Sequence, residues 1–354
     1  MRRHITITMA IVIFALTALS SSAQSILDTP RPSQHASVGQ RIGITDVTIN
    51  YSRPLVNNRK IWGTLVPYGE VWRAGANENT TISFSDPVTI EGKPLAEGTY
   101  GLHMIPTAND WTVILSKNHT SWGSFTYNQS EDALRVSVKP QAADFHEALV
   151  YEFENVKPES AVAVLKWEKM AVPINIGVDV NQVVAQSLKN QLRTGARYTW
   201  EAWDEAANYL LDHNLNLNDA LEDSNHSIQV EERFETLMTK EQILDKLGRK
   251  EEAMKVREKV LAMGNPLQLH TYGRQLQIHG QQDQAFEIFR VNMKKNPDNW
   301  LAHSEAARIS CASGDYDGAV KEMKLAANGA PQDTKGYMEM LVRRLEAKED
   351  INRQ

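Results

Sequence analysis

Four alanines recur at a nearly constant spacing in the second half of this 354-residue chain. Ala220, Ala253, Ala285 and Ala319 are separated by 33, 32 and 34 residues. Apolar residues around them recur every three or four positions, which is the period of amphipathic helices. A repeat of this length indicates an array of small helical units that must stack to bury their apolar faces. This spacing constrains the fold of the second half more tightly than any other feature of the chain.

Glycine and proline mark fixed points within these units. A glycine stands five residues before three of the four alanines: Gly248, Gly280 and Gly314. In the first unit Leu215 has this place, beside Asn214, and Pro297 and Pro331 close the third and fourth units. Glycine permits the left-handed backbone that ends a first helix, and proline ends the hairpin. The pattern resembles the tetratricopeptide repeat.

The repeats therefore predict an all-α, tetratricopeptide-like superhelix over residues 198–350. The best match covers residues 298–331, and the first repeat, roughly 199–228, is degenerate. Residues 333 to about 348 are expected to form a capping helix that covers the last apolar face. Residues 181–197 are expected to be a linker or helix.

The preceding part of the chain has a different period. From Ile42 to about Ile176, short apolar runs alternate with polar residues and are separated by Gly, Pro, Asn and Asp turns. Residues 81–85 alternate strictly, and residues 88–90 lead into a hairpin signal at 91–93. Seven or eight short strands of this kind predict an all-β sandwich, jelly-roll-like, over residues 24–180.

The amino terminus has the layout of a secretory signal peptide over residues 1–23. Basic residues at 2–4 precede a mostly apolar stretch at 5–19, and small side chains at Ser21 and Ala23 suit cleavage before Gln24. We expect export to the periplasm or the extracellular space. The alternative is an uncleaved anchor, although the apolar run is short for a membrane span. After cleavage no transmembrane segment is expected.

Charge and cysteine content narrow the function classes. The chain has a net charge of −6, which disfavours nucleic acid and anionic membrane as partners, since both require a basic surface. Its single cysteine, Cys311, excludes an intramolecular disulfide, so core packing must supply the stability. Cys311 lies in a helical apolar pattern and is expected to be a small buried side chain. The alternative, a nucleophile, has no partners that the sequence identifies.

Ordered blocks rich in arginine and tryptophan occur in the β half. They read YSRP at 51–54, RKIWG at 59–63, LVPYG at 65–69, VWRAGANENTT at 71–81, EGTYGL at 97–102 and WTVI at 111–114. Over roughly residues 25–178 the chain resembles the DUF2911 family of bacterial exported proteins. The family has no assigned function, so the resemblance implies an exported β domain and no reaction. Some members carry tetratricopeptide repeats after this domain.

The same blocks suggest a ligand pocket. Arginine presents a planar fork of donors and stacks on aromatic rings, so arginines among aromatics suit a carboxylate, a phosphate or a sugar. The candidates in the first cluster are Arg53, Arg59, Trp62, Arg73, Asn77 and Glu78. Those in the second are His119, Trp122, Tyr127, Asp132 and Arg135. The alternative is structural: arginines that bridge loop carbonyls and acids, and tryptophans that pack in the core.

A second candidate site lies in the repeats. Stacked hairpins form a concave groove lined by the first helix of each repeat. Arg274 and Arg308 have equivalent positions on this face, and His270 and Gln277 lie one turn either side of Arg274. Paired guanidinium groups suit a peptide carboxylate or an acidic segment. The alternative is that they pair with acids of neighbouring helices.

The leading hypothesis is an exported, non-enzymatic binding or scaffold protein. Its repeats would engage a protein or peptide partner, and its β domain would bind a small polar or carbohydrate ligand or a second partner. The alternative is an envelope hydrolase acting on sugar or peptide material, with an active site around Arg53, Arg73, Glu78, His119 and Asp132. No complete catalytic motif is present, and His103, His119 and His146 lack a close metal-ligand spacing. We predict no cofactor and no metal.

Overall fold

The computed structural model describes residues 30–352. The chain divides into two compact units, the first ending at Gly177 and the second beginning at Val178. The predicted signal peptide, residues 1–23, lies outside the described residues. Between residues 30 and 352, no helix has both the length and the apolar character needed to cross a bilayer.

The first unit is built from two antiparallel sheets, as the strand periodicity predicts. Its strands within the described residues are β1 (Gln34–Ile42), β2 (Thr45–Arg53), β3 (Thr81–Phe84), β4 (Val88–Ile90), β5 (Lys93–Leu95), β6 (Gly98–Ile105), β7 (Trp111–Ser116), β8 (Asp132–Val138), β9 (Gln141–Lys157) and β10 (Ser160–Gly177). One sheet has the order β1-β2-β3-β6-β7-β8, and the other has the order β5-β4-β10-β9. The β4–β5 hairpin therefore belongs to the second sheet, although it lies between β3 and β6 of the first sheet along the chain.

Strand β1 begins before the region that the sequence pattern marks as β. It pairs with β2 from Gln34 opposite Arg53 to Ile42 opposite Thr45. It is an edge strand of its sheet, and five of its nine side chains are exposed. Its burial alternates from Ala36 to Ile42, but the inward side chains include the polar Gln40, so the apolar alternation is weak. An edge strand of this kind has no strong periodic signal.

The second unit consists of stacked helical hairpins, which confirms the predicted tetratricopeptide-like architecture. Its α-helices among the described residues are α1 (Val180–Gln191), α2 (Trp200–Asp212), α3 (Leu217–Val230), α4 (Phe234–Lys246), α5 (Lys250–Met263), α6 (Pro266–Ile278), α7 (Gln282–Lys295), α8 (Trp300–Ala312), α9 (Tyr316–Gly329) and α10 (Gln332–Glu346). The hairpins are α2–α3, α4–α5, α6–α7 and α8–α9, and α10 packs on α9 as the predicted cap.

The repeated residues have the roles that the spacing assigns to them. Gly248, Gly280 and Gly314 adopt φ values of +75°, +77° and +83° where the first helix of each hairpin ends. In the degenerate first repeat Asn214, at φ +52°, replaces the glycine. All four repeat alanines are buried, which allows the second helix of each hairpin to pack closely on the first.

Candidate functional site

Arg53 joins the end of β2 to the other sheet, whereas Arg59 bonds within the segment that follows β2. The Arg53 Nε donates to the Leu149 carbonyl at 2.9 Å, and the Arg59 Nε donates to the Val56 carbonyl at 3.0 Å. The backbone of the same segment pairs with β9, where the amide of Val56 donates to the carbonyl of Glu147 at 2.8 Å. Both guanidinium groups therefore bind backbone carbonyls. For Arg53 and Arg59 the structure has the structural role, which is the alternative to a ligand pocket.

Trp62 belongs to the core between the sheets. Its ring lies 4.8 Å from that of Trp111 on β7 and 5.7 Å from that of Trp167 on β10, both in edge-to-face geometry. Trp72 stacks on Trp167 at 5.9 Å and completes the cluster. Contacts of this kind stabilise the packing of the two sheets and leave no exposed ring face on Trp167.

Arg73, Asn77 and Glu78 do come together with the loop that carries Trp122. The Arg73 Nη1 donates to the Asn77 carbonyl at 2.6 Å, and its guanidinium lies 5.4 Å from the centre of the Phe125 ring. Gly123 has φ +68°, and a Cβ there would lie 2.7 Å from the Arg73 Cζ. This position therefore requires glycine both for its backbone and for the approach of the guanidinium.

Glu78 lines an open groove of about 560 Å³ in the β unit, and Trp122 lies next to Glu78. Residues 78 and 122 form an isolated backbone bridge. The Arg31 Nη1 lies 2.6 Å from the Glu78 Oε1, and its guanidinium lies 5.9 Å from the centre of the Trp122 ring. The hydrogen bond from Arg31 lowers the pKa of Glu78. The groove is lined by Pro30, Arg31, Ser33, Gln34, His35, Ser52 and Glu78.

A chain of polar contacts continues behind this loop. The Nδ1 of His103 and the Oγ of Ser124 are hydrogen-bonded at 2.9 Å, and the His103 ring lies 5.5 Å from that of Tyr127. The Tyr127 hydroxyl donates to the Asp132 carboxylate at 2.7 Å, and the Arg135 Nε lies 3.3 Å from the same carboxylate. Burial, together with the charge of Arg73, lowers the pKa of His103 to about 4.

His119 remains exposed on the loop, outside these contacts. Of the predicted residues, Glu78 lines the groove, and Arg73, Asn77 and Trp122 lie near it. Tyr127, Asp132 and Arg135 form the polar contacts behind the loop. The structure does not bring together the full set on which the hydrolase hypothesis depends. His103, Arg31 and Phe125 are neighbours of this cluster that the sequence pattern did not identify. Arg31 lies 47 residues from its partner Glu78, and Phe125 is also distant along the chain from its partner Arg73. Sequence spacing therefore gives no signal for either residue.

In the helical unit, the four predicted groove residues lie close together on helices α6 and α8. We call this surface the α6–α8 face and define it by His270, Arg274, Gln277, Arg308 and Cys311. The Arg274 Nη1 donates to the Gln277 Oε1 at 2.5 Å. No ion pair joins Arg274 or Arg308 to a carboxylate in the described part of the chain. Among the described residues, Arg274 and Arg308 therefore do not form the ion pairs with acids of neighbouring helices that the alternative predicts.

A buried His–Glu pair lies beneath this face. The His270 Nδ1 lies 3.1 Å from the Glu305 Oε1, which also accepts from the Asn292 Nδ2 at 2.7 Å. Burial raises the pKa of Glu305 to about 8. Burial, with the charges of Arg308 and Arg274, lowers the pKa of His270 to about 3. Both partners are therefore uncharged near neutral pH, and Glu305 does not neutralise the two guanidinium groups.

The chain's own carboxyl-terminal segment covers the α6–α8 face. The Arg308 Nη1 donates to the Ile351 carbonyl at 2.8 Å, and the Asn352 Nδ2 donates to the Arg308 carbonyl at 2.9 Å. The Gln277 Nε2 donates to the Asn352 Oδ1 at 2.9 Å. Ile351 is only 2% exposed and packs in the core cluster that contains Ala307. The sequence pattern ended at the capping helix and gave no sign of this contact.

Cys311 is buried, as its helical pattern predicts. Burial raises the pKa of its thiol. The Cys311 Sγ lies 3.6 Å from the Asp350 Oδ1 of the carboxyl-terminal segment. Within residues 30–352, no group of three or more His, Cys, Asp or Glu side chains has an arrangement that would hold a metal ion.

Comparison with known proteins supports the reading of the β half. Residues 33–176 match the model of DUF2911, described as a protein of unknown function, which confirms the resemblance in the sequence. A comparison with curated proteins finds no match for this chain.

Several solved structures are similar to parts of the chain. MamA is 17% identical over 45% of this chain and 92% of its own, with a TM-score of 0.30. YrrB, a TPR protein with an unusual peptide-binding site, is 14% identical over 47% of this chain and 84% of its own, with a TM-score of 0.28. A tetratricopeptide repeat protein from Parabacteroides merdae is 15% identical over 48% of this chain and 71% of its own, with a TM-score of 0.29. Because TM-scores this low carry no argument, the assignment of the repeat architecture rests on the helices of this chain itself.

Proposed function

We propose that this protein is an exported, non-enzymatic scaffold whose helical repeats bind a short peptide segment of a partner protein on the α6–α8 face. The observation that carries this proposal is the carboxyl-terminal segment itself. The face holds main-chain and side-chain groups of a short non-helical segment through Arg308 and Gln277. A surface that hydrogen-bonds one peptide backbone has the donors and acceptors to bind another.

The charge of the face defines the partner further. Burial, together with the charge of the nearby Arg274, lowers the pKa of Arg308 to about 10. With Glu305 protonated, no ion pair among the described residues neutralises the guanidinium group of Arg274 or Arg308. A segment with aspartate or glutamate side chains is therefore the favoured partner, because charge-assisted hydrogen bonds to guanidinium are the strongest that a peptide can make here.

Peptide selection tests this function. Peptides selected from a random library on the full chain should be enriched in acidic residues. Arg274→Ala should weaken their binding about tenfold or more, since a lost hydrogen bond to a charged group costs about 1.5–3 kcal/mol. Fluorescence anisotropy measures the dissociation constants. The matched control is Arg290→Ala, because Arg290 is exposed on α7, the second helix of its hairpin.

Two results would contradict the proposal. One is a set of selected peptides that bind Arg274→Ala as well as the unaltered chain. The other is an equal loss of binding in Arg274→Ala and Arg290→Ala, which would indicate a general charge effect and not a defined face.

We infer that the β half contributes a second binding surface for a small polar ligand of the carbohydrate class. The support is the open groove beside Arg31 and Glu78, next to the exposed ring of Trp122. An exposed aromatic face with a guanidinium and a carboxylate beside it offers stacking and hydrogen bonds to hydroxyl groups. The hydrolase alternative has no comparable support, since its five residues do not converge.

A ligand panel tests the second surface. Mono- and oligosaccharides and sugar phosphates are added to the full chain, and a ligand that binds the native state should raise its melting temperature. Trp122→Ala should abolish that shift, whereas Phe145→Ala should leave it intact. The two rings are matched, with exposures of 52% and 53%, and Phe145 lies on β9. A shift that survives in Trp122→Ala, or no shift with any panel member, counts against this surface.

Export belongs to the same proposal. It is supported by the basic, apolar and small-residue regions of residues 1–23, which lie outside the described residues. The periplasm or extracellular space would then be where both surfaces meet their partners.

A further inference from the structure

The chain reverses direction after α10 and returns to the repeats. Lys348 adopts φ +57°, and the amide of Glu349 donates to the carbonyl of Arg344 at 2.9 Å. The Arg344 Nε also donates to the Glu349 Oε2 at 2.8 Å. These contacts direct the following residues to α8.

Each residue of this segment makes a different contact. The Asp350 Oδ1 accepts from the amide of Asn352 at 2.9 Å and so shapes the segment. Ile351 supplies a buried aliphatic side chain and a carbonyl that accepts from Arg308. The Asn352 amide group bridges Gln277 and the Arg308 carbonyl. The segment therefore combines an acidic residue, an aliphatic anchor and a hydrogen-bonding amide.

The segment leaves part of the site unsatisfied. The Nε of Arg308 and the Oε2 of Glu305 are buried and have no hydrogen-bond partner in the described residues. Arg308 is 1% exposed and Glu305 is fully buried. An unmade hydrogen bond of a buried guanidinium is costly, so the site has capacity for an acceptor that the segment does not supply.

We infer that residues 349–352 are a built-in occupant of the partner site, and that the partner is a short non-helical segment of the same chemistry: an acidic residue, an aliphatic residue and an amide side chain in succession. This inference rests on the proposed function of the α6–α8 face. A partner whose carboxylate reaches Arg274 and the Arg308 Nε displaces the tail, because it makes a charge-assisted contact that the tail leaves unmade.

Tethering sets the strength of this competition. A segment attached by a short turn has an effective concentration on the order of millimolar at its own site. It therefore reduces the population of open face and, in proportion, the apparent affinity for any partner. Removing the tail should therefore raise that affinity.

The tail peptide itself is the probe. A fluorescent peptide with the sequence of residues 347–354, AKEDINRQ, is titrated against the full chain and against a chain that ends at Lys348. We expect the shortened chain to bind it about tenfold or more tightly than the full chain. A peptide with aspartate in place of Ile351, and a scrambled peptide of the same composition, should not bind.

A second variant guards against loss of folding, since Ile351 packs in the core of the last repeat. Asn352→Ala in the full chain keeps Ile351 but removes the contacts with Gln277 and the Arg308 carbonyl. It should bind the probe more tightly than the unaltered chain, by a smaller factor than the shortened chain does. Circular dichroism shows whether each variant retains its helices.

The outcomes separate the two proposals. If neither the shortened chain nor Asn352→Ala binds the probe more tightly than the full chain, the tail is not an occupant that competes, and the inference is overturned. Arg274-dependent binding of library peptides would then still support the face as a partner site. If the full chain associates with itself and the shortened chain does not, the tail acts between copies, which also overturns the inference.

Discussion

Glu305 shows how one buried residue ties the chemistry of the face to its stability. The folded chain holds the Glu305 proton to about pH 8, whereas the unfolded chain releases it near the ordinary pKa of 4.5. A raised pKa in the folded state contributes stability at low pH that is lost as the pH rises. His270 acts in the opposite direction, because its pKa is lowered from 6.5 to about 3, so its stabilisation is lost as the pH falls. Above about pH 6.5 the stability contributed by His270 is fully present, so of these two residues only Glu305 still changes the free energy of unfolding with pH.

Glu305→Gln should therefore remove a decline in stability between about pH 6.5 and pH 8. Glutamine keeps an oxygen for Asn292 but has no proton to lose. The free energy of unfolding of the variant, relative to the unaltered chain, should rise across this window by at most about 2 kcal/mol. Urea unfolding at several pH values measures it, with the exposed Glu287→Gln as control. A difference that does not change with pH would falsify the assignment of a raised pKa.

At the same scale, the arginines show what residue type alone leaves open. Arg53, Arg59 and Arg73 share an aromatic-rich sequence context, yet of these three only Arg73 lies beside the loop that carries Trp122. The bond from Arg53 to Leu149 joins residues 96 positions apart. Whether a guanidinium meets a carbonyl or a ligand depends on such distant partners, which spacing along the chain does not encode.

Among the elements, the helix-ending glycines were the most predictable. Their conformation follows from a local requirement, a left-handed residue between two antiparallel helices. The hairpins, the cap and the two-helix period follow in turn. Strand β1 was missed for an equally local reason, since the apolar alternation of this edge strand is weak.

Glycine to alanine should have opposite effects at two positions. Gly280 adopts φ +77° with no atom near enough to hinder a Cβ, so Gly280→Ala should lower the free energy of unfolding by about 1 kcal/mol through backbone strain alone. Gly336 lies exposed inside α10 and also has open space, so Gly336→Ala should raise it by about 0.5–1 kcal/mol. Urea unfolding measures both. A rise in Gly280→Ala would show that the turn does not require glycine, and a fall in Gly336→Ala would contradict the prediction for α10.

For the whole molecule, each unit has its own buried core, so changes in the tail should leave the β unit unaffected. The proposed sugar-dependent shift in melting temperature is therefore a suitable internal control for the tail experiment. It should be the same in the full chain and in the chain that ends at Lys348.

The sequence by itself determined the all-β and all-α halves, the hairpin repeat and the turns, because each depends on periodicity or on a residue's own backbone preference. It also selected Arg274, Gln277 and Arg308 as residues of one face. Only the tertiary structure decided what covers that face. The contact between Gln277 and Asn352 spans 75 residues, and that between Arg308 and Ile351 spans 43. Such contacts depend on how the repeats stack and where the last turn aims the chain, and neither leaves a periodic trace in the sequence.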